Sequence, residues 1–199
     1  MGTTQRNRWK NLTSGSEDTE SKERLREMML FISDRCESDP TFGAIKLNKI
    51  LFFSDFFSFA EHGRAITGVP YKKYAQGPVP TILKPLRDKM QQSGEIAIRK
   101  KRYQGGMQDR VVPLREPDLT KFNGQDIVMV EEVIDMLWGL SATEVSELSH
   151  DRAWRNASDG EVIPYEAAFV SDEPLTERDI AIAEEMIAEY EQFEKSAGR

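Results

Sequence analysis

The chain is short of the residues from which most covalent and metal chemistry is built. It holds one cysteine, Cys36, and two histidines, His62 and His150, in 199 residues. A single cysteine cannot close a disulfide within the chain, which fits a reducing compartment. The histidines lie far apart, and no CxxC, HxxxH or HExxH spacing occurs, so a zinc site is not expected. Neither GxGxxG nor GxxxxGK[ST] is present, so the glycines offer no recognised phosphate cradle. No apolar run approaches the ~18 residues that span a bilayer; the run Ile50–Phe53, for example, stops at Ser54 and Asp55. The first residues, Met1 to Arg6, contain no apolar stretch of a secretory signal, and Arg6 argues against myristoylation of Gly2. Together these shortages lead to the expectation of a cytoplasmic protein with no membrane association, metal or organic cofactor.

What is present is the composition of a globular domain, 39% hydrophobic and 31% charged. The net charge of −7 is unevenly spread. Residues 172–195 hold nine acids against Arg178 and Lys195, whereas residues 99–110 hold Arg99, Lys100, Lys101, Arg102 and Arg110 against Asp109 alone. An acidic chain repels phosphate, so general nucleic-acid binding is not expected. The plainest reading of both runs is solvated surface.

Residues 1–20 are polar and read as a flexible tail. Leu25, Met28, Met29, Ile32 and Cys36 then recur at three and four residues, the apolar stripe of a helix that ends near Ser38-Asp39-Pro40. A second helix is expected from about 44 to 61. Its later part, Phe52 to Ala60, is apolar on almost every side, the pattern of a helix buried at the centre of a domain. A Gly/Pro-shaped loop follows, from Val69 through Tyr71, Tyr74, Gly77, Pro78 and Pro80. The helix after it, about 81–92, contains Pro85 and should therefore be short, late-starting or kinked. Ile96 to Val112 reads as a β-hairpin turning at Gly105-Gly106. A connector runs from Pro113 to Gly124, and Ile127, Val130, Ile134 and Leu137 mark the next helix.

Ser141-x-x-Glu144 is a capping box, with Leu140 and Val145 placed for a hydrophobic staple. Thr176-x-x-Asp179 repeats the arrangement before a last, acidic helix at 177–194. The fold class is thus mainly α with a small β-hairpin, a single-domain helical bundle around the helix at 44–61.

Cys36 sits on an apolar stripe and reads as a small core residue rather than a nucleophile. His150 closes the capped helix, four residues before Trp154, where it can satisfy free helix carbonyls with the indole packed alongside. Partner recognition or acid–base catalysis by His150 are the alternatives, the latter without a nucleophile or metal in sequence reach.

Three segments, in order, resemble one family. They are Lys46-Leu47-Asn48-Lys49-Ile50-Leu51-Phe52-Phe53, then Tyr71-x-x-Tyr74-x-x-Gly77-Pro78-Val79, then Leu148-Ser149-His150 with Trp154 and Ala157. With a hairpin between the second and third, this pattern is similar to the SocA-like, or Panacea, antitoxin domain across about residues 25–168. The resemblance implies one domain over residues 21–195 and a role in bacterial or phage toxin–antitoxin pairs, often on mobile elements. It also implies neutralisation of a protein toxin, encoded by the adjacent gene, through direct contact and without catalytic residues.

On this reading Lys46, Leu47, Lys49, Tyr74, Gly77, Pro78, His150 and Trp154 carry the family motifs or line a partner groove. Of these, Leu47 belongs to the core, Gly77 and Pro78 shape the loop, and the rest are polar or amphipathic. Glu184, Glu185 and Glu189 form an acidic face suited to a basic toxin, with the basic hairpin as a second contact. Two other functions fit the same sequence. The chain could be an adaptor that delivers a partner to an ATP-dependent protease, tethered by the polar tail, or a small enzyme using His150.

Overall fold

A helix with no polar face can only be stable inside a domain, and that is where the aromatic-rich segment lies. The computed structural model describes residues 19–103 and 106–169. Helix α1 (Thr19–Arg35) is followed by α2 (Ala44–His62), whose Leu47, Ile50, Leu51, Phe52, Phe53 and Phe56 are all buried. Against α2 pack α1, the helix α4 (Gly124–Leu137), the short α5 (Ala142–Leu148) and a 3-10 turn at Tyr165–Phe169. Gly63 ends α2 in the left-handed conformation, φ 70°, and its N–H closes on the Phe59 carbonyl. Each large side chain buried in this way contributes roughly 1.5–3 kcal/mol of transfer free energy.

The stripe expected on α1 is inward-facing throughout, since Leu25, Met28, Met29, Ile32 and Cys36 are all buried. The helix starts two residues inside the segment read as tail, at Thr19. Helix α3 (Leu83–Gln92) starts late, as Pro85 requires. Proline occupies its third position, where a backbone N–H has no intrahelical acceptor to lose; the first closing bond runs from the Leu86 N–H to the Ile82 carbonyl at 3.0 Å. Helix α4 begins three residues before the apolar spacing does. Asn123 and Asp126 cap it reciprocally, the Asn123 side chain accepting from Asp126 N–H and the Asp126 carboxylate from Asn123 N–H. The capping box of Ser141 and Glu144 is also formed, with Val145 buried beneath it and Leu140 partly so.

The hairpin pairs β3 (Ile96–Tyr103) with β4 (Gly106–Pro113) in a single register from Ile96↔Pro113 to Tyr103↔Gly106. Ile96 and Val111 turn into the core, while Arg99, Lys100, Lys101 and Arg102 stand in solvent. Arg110 is the exception among the hairpin cations. It is buried, and its Nη2 donates to the carbonyls of Cys36, Glu37 and Asp39 at 2.6, 2.7 and 2.9 Å, tying the hairpin to the end of α1. A second sheet stands beside the expected hairpin. Three strands of two residues each, β1 (Tyr71–Lys72), β2 (Val79–Pro80) and β5 (Val162–Ile163), join antiparallel in the order β2-β1-β5. Strands this short carry no readable alternation, yet they bring the loop after α2 against residues ninety positions later.

Two buried polar knots hold these pieces on α2. Asp55 is wholly enclosed; it accepts from the Thr67 N–H at 2.6 Å, the Thr67 hydroxyl and the Tyr71 hydroxyl at 2.8 Å. Tyr165, which stacks on Phe59 and has its ring centroid 4.9 Å from that of Phe56, donates its hydroxyl to the Val69 carbonyl at 2.7 Å. Burial pushes the Asp55 carboxyl above its ordinary range against the pull of these donors. At the other end, Asp126 holds Arg24 at 3.1 Å and Arg64 at 2.8 Å, clasping α1, α4 and the turn after α2.

The acidic helix expected at 177–194, with Glu184, Glu185 and Glu189, lies outside the described residues, as do positions 1–18 of the polar tail.

Candidate functional site

The three sequence segments that carry the family resemblance are brought to one place. Lys49 projects from α2 beneath the loop at residues 73–78, and the stretch from Ser149 through the helix α6 (Arg152–Asn156) closes over the same loop. The Tyr74 carbonyl is the junction. It accepts from the Gly77 N–H at 2.9 Å, which makes the turn, and from the Trp154 indole N–H at 3.1 Å, which ties the turn to α6. Asp151 accepts the Trp154 N–H at 2.8 Å, fixing the start of α6 and with it the indole.

Around that junction the side chains stack in layers. The His150 ring lies on the Trp154 ring, centroids 3.7 Å apart and 13° from parallel. The Lys73 ammonium stands over the Trp154 ring at 4.2 Å while donating to the Ala157 carbonyl at 2.8 Å. Tyr74 is exposed on the outside of the loop.

Gly77 is glycine for two separate reasons. Its φ of 96° belongs to a region that side chains rarely adopt. A Cβ there would also lie 2.3 Å from the Ser149 Oγ and 2.4 Å from the Lys49 Nζ, so the backbone approaches both groups directly.

The buried Lys49 sets this place apart electrostatically. It is 1% exposed, and its Nζ donates to the Pro78 carbonyl at 3.2 Å. Burial alone pulls its amine down to about 7. Lys46, one turn earlier and equally buried, is treated differently: it meets the Asp39 carboxylate at 2.8 Å, with Thr41 alongside. The motif lysines therefore do not share a site. Burial would raise Asp39, but Lys46 and the two Thr41 donors outweigh it and hold the carboxyl below its ordinary value. Leu47 packs in the core as expected.

His150 differs from its expected role as a cap. The carbonyl of Ser146 at the end of α5 is taken by Ser149, through its hydroxyl at 2.7 Å and its N–H at 3.0 Å, and the His150 backbone N–H takes Glu147. The imidazole Nε2 is buried and has no hydrogen-bond partner among the described residues. Burial, then the charge of Lys49, hold this imidazole below its usual value, partly offset by Glu147. Ser149 is fully buried and was named in the sequence only as a motif neighbour; nothing in its spacing signals that it faces Gly77.

Cys36 is buried, and burial first, then Asp39, push its thiol up to about 12, leaving it protonated. Among the described residues, no group of three His, Cys, Asp or Glu could hold a metal ion, and no helix is long and apolar enough to cross a membrane.

A family model described as the antitoxin SocA-like, Panacea domain matches residues 47–155. The chain belongs to that family. The matched span runs from Leu47 on α2 to the residue after Trp154, so it contains the whole Lys49–Gly77–His150 junction. No curated protein and no solved structure matches the chain significantly. Within this Panacea domain the motif residues are chiefly the ones that fasten loop, α6 and α2 together.

Proposed function

We propose that this protein is an antitoxin that neutralises a cognate protein toxin by direct binding. The observation that carries the reading is the family match over residues 47–155, whose separate motifs converge on one surface of the domain. Physical features of the surface support contact as the mode of action. Tyr74 is 49% exposed beside the Lys73–Trp154 stack, giving an aromatic anchor with a cation next to it. On the hairpin, Arg99, Lys100 and Lys101 line a groove of about 400 Å³ with Asp34 and Glu37 on its opposite wall. Such mixed charge steers association and register more than it adds affinity. The acidic run with Glu184, Glu185 and Glu189 offers the complementary sign for a basic toxin.

Co-expression with the product of the adjacent gene tests the reading. Growth rescue with a co-purifying complex is the expected result. A toxic neighbour that is neither bound nor rescued would refute it. A toxin whose level falls only when an ATP-dependent protease is present would instead establish the adaptor function. Replacing Glu184, Glu185 and Glu189 by Gln together is expected to weaken the complex; unchanged binding removes that face from the interface.

A further inference from the structure

Three cations are buried among the described residues, and two of them meet strong acceptors: Lys46 the Asp39 carboxylate, and Arg110, through Nη2 although not Nη1, three carbonyls at the end of α1. Lys49 is the exception. An ammonium has three N–H donors, and here one carbonyl, that of Pro78, receives one of them at a long 3.2 Å. His150, near enough to feel the Lys49 charge, has a buried Nε2 with no partner among the described residues, and the Ser149 hydroxyl faces the same Gly77 as Lys49.

The nearby acids are engaged elsewhere or act at a distance. Asp151 accepts from the Trp154 N–H, and Glu147 reaches His150 only through its field. Buried polar atoms in folded proteins nearly always find partners. A buried lysine short of acceptors beneath a turn, and an unpartnered histidine nitrogen within reach of its charge, mark a place where one complementary group would serve both.

We propose that Lys49 and His150, with Ser149 alongside, form a receptor for one carboxylate, which, on the antitoxin reading above, is an acidic side chain or chain end of the toxin. A carboxylate supplies only acceptors, which is what Lys49 lacks and what a protonated His150 Nε2 would need. Its charge would stabilise the protonated forms of both groups, and charge-assisted hydrogen bonds in a dry site are the strong ones. Access is beside His150, the most exposed of the three. Gly77 has no side chain to block the Lys49 amine and Ser149 Oγ, and a Cβ would be driven into both. Tyr74 and the Lys73–Trp154 stack flank that point and would contact whatever carries the carboxylate.

The first arm of the test is an NMR titration of the His150 ring with acetate and with inorganic phosphate, against chloride at equal ionic strength. A saturable shift of the ring signals with acetate, absent in Lys49→Met, is expected if a free small carboxylate fits. The second arm measures the affinity of the purified toxin complex. Lys49→Met and His150→Gln should each weaken it roughly tenfold to a hundredfold, the size of a lost charge-assisted hydrogen bond, while Lys84→Met, on the solvent side of α3, leaves it unchanged. Loss of toxin affinity places the carboxylate on the toxin. An acetate response with unchanged toxin affinity assigns the receptor to a free small anion. Ring signals that follow chloride, together with unchanged toxin affinity, overturn the proposal. Should the wild-type chain bind no toxin at all, the antitoxin reading fails by itself and the acetate arm alone decides the receptor.

Discussion

Lys46 and Lys49 sit one turn apart on α2, are equally buried and can be given the same substitution, yet opposite outcomes follow from their surroundings. Lys46→Met leaves the Asp39 carboxylate, 1% exposed, with only the N–H and hydroxyl of Thr41. Breaking a buried pair from one side costs about 3–5 kcal/mol. Lys49→Met strands no charge. It frees the Pro78 carbonyl of one long hydrogen bond, a cost of about 1–3 kcal/mol, and removes an amine whose burial opposes its own protonation.

The size of that opposition follows from the depression of the Lys49 amine from 10.5 to about 7. At about 1.4 kcal/mol per tenfold change in proton affinity, it is on the order of 5 kcal/mol when both folded and unfolded chains are protonated. This relief exceeds the cost of the lost hydrogen bond, so Lys49→Met is expected to stabilise the domain by roughly 2 kcal/mol near pH 7.

The pH dependence gives the cleaner signature. Between about 7 and the unfolded value of 10.5, the unfolded chain carries a proton on Lys49 that the folded chain has shed. Stability must therefore rise with pH through this window. From about pH 6 to about pH 9 the contribution is on the order of 2–3 kcal/mol in the wild type, and Lys49→Met should lack it. Urea denaturation followed by tryptophan fluorescence at the two pH values measures both effects, provided the slope of free energy against urea is unchanged. Lys49→Met as damaging as Lys46→Met, with the wild-type pH slope retained, would refute the reasoning.

Two further substitutions probe the backbone around the site. Gly77→Ala combines φ 96° with Cβ contacts of 2.3 and 2.4 Å and should cost about 2 kcal/mol or more, whereas Gly94→Ala, φ 75° with open space around it, should cost about 1 kcal/mol; thermal melts of the pair compare them, and equal losses would mean the contact to Lys49 and Ser149 is relieved freely. Ser141→Ala removes the reciprocal cap with Glu144 and is expected to cost about 1 kcal/mol, with faster amide exchange confined to α5; a loss spread over the whole domain would contradict the local role assigned to it.

The parts of this fold that were legible from sequence are those whose cause is local. A helix apolar on all sides announces its burial, and Ser141 with Glu144 announces a helix start. Pro85 announces a helix that begins late. The Asn123–Asp126 cap is equally local and equally written in the residues, but its α4 stripe begins at Ile127, and the apolar spacing draws the eye past it. The sheet of β1, β2 and β5 could not be read in the same way, because two-residue strands have no periodicity and their partners are set by where the chain returns. The same holds at the candidate site. His150 and Trp154, four residues apart, were expected to pack and do stack, whereas the meeting of Gly77 with Ser149 and Lys49 is a contact across the fold.

The two motif lysines show why spacing alone cannot separate structure from function. On a helical wheel Lys46 and Lys49 are neighbours on one face, and a motif reading assigns them together. Their environments are decided by segments on opposite sides in sequence: Asp39 and Thr41 precede α2 and answer Lys46, whereas the Tyr74–Pro78 loop follows it and covers Lys49 with carbonyl and glycine backbone. One lysine is thereby consumed by the fold. The other is kept inside it at an energetic disadvantage that a methionine would remove without changing the shape of the helix. A buried amine held at such a disadvantage is one that an acceptor from outside the domain would relieve, and the unpartnered His150 Nε2 within reach of its charge fits the same acceptor.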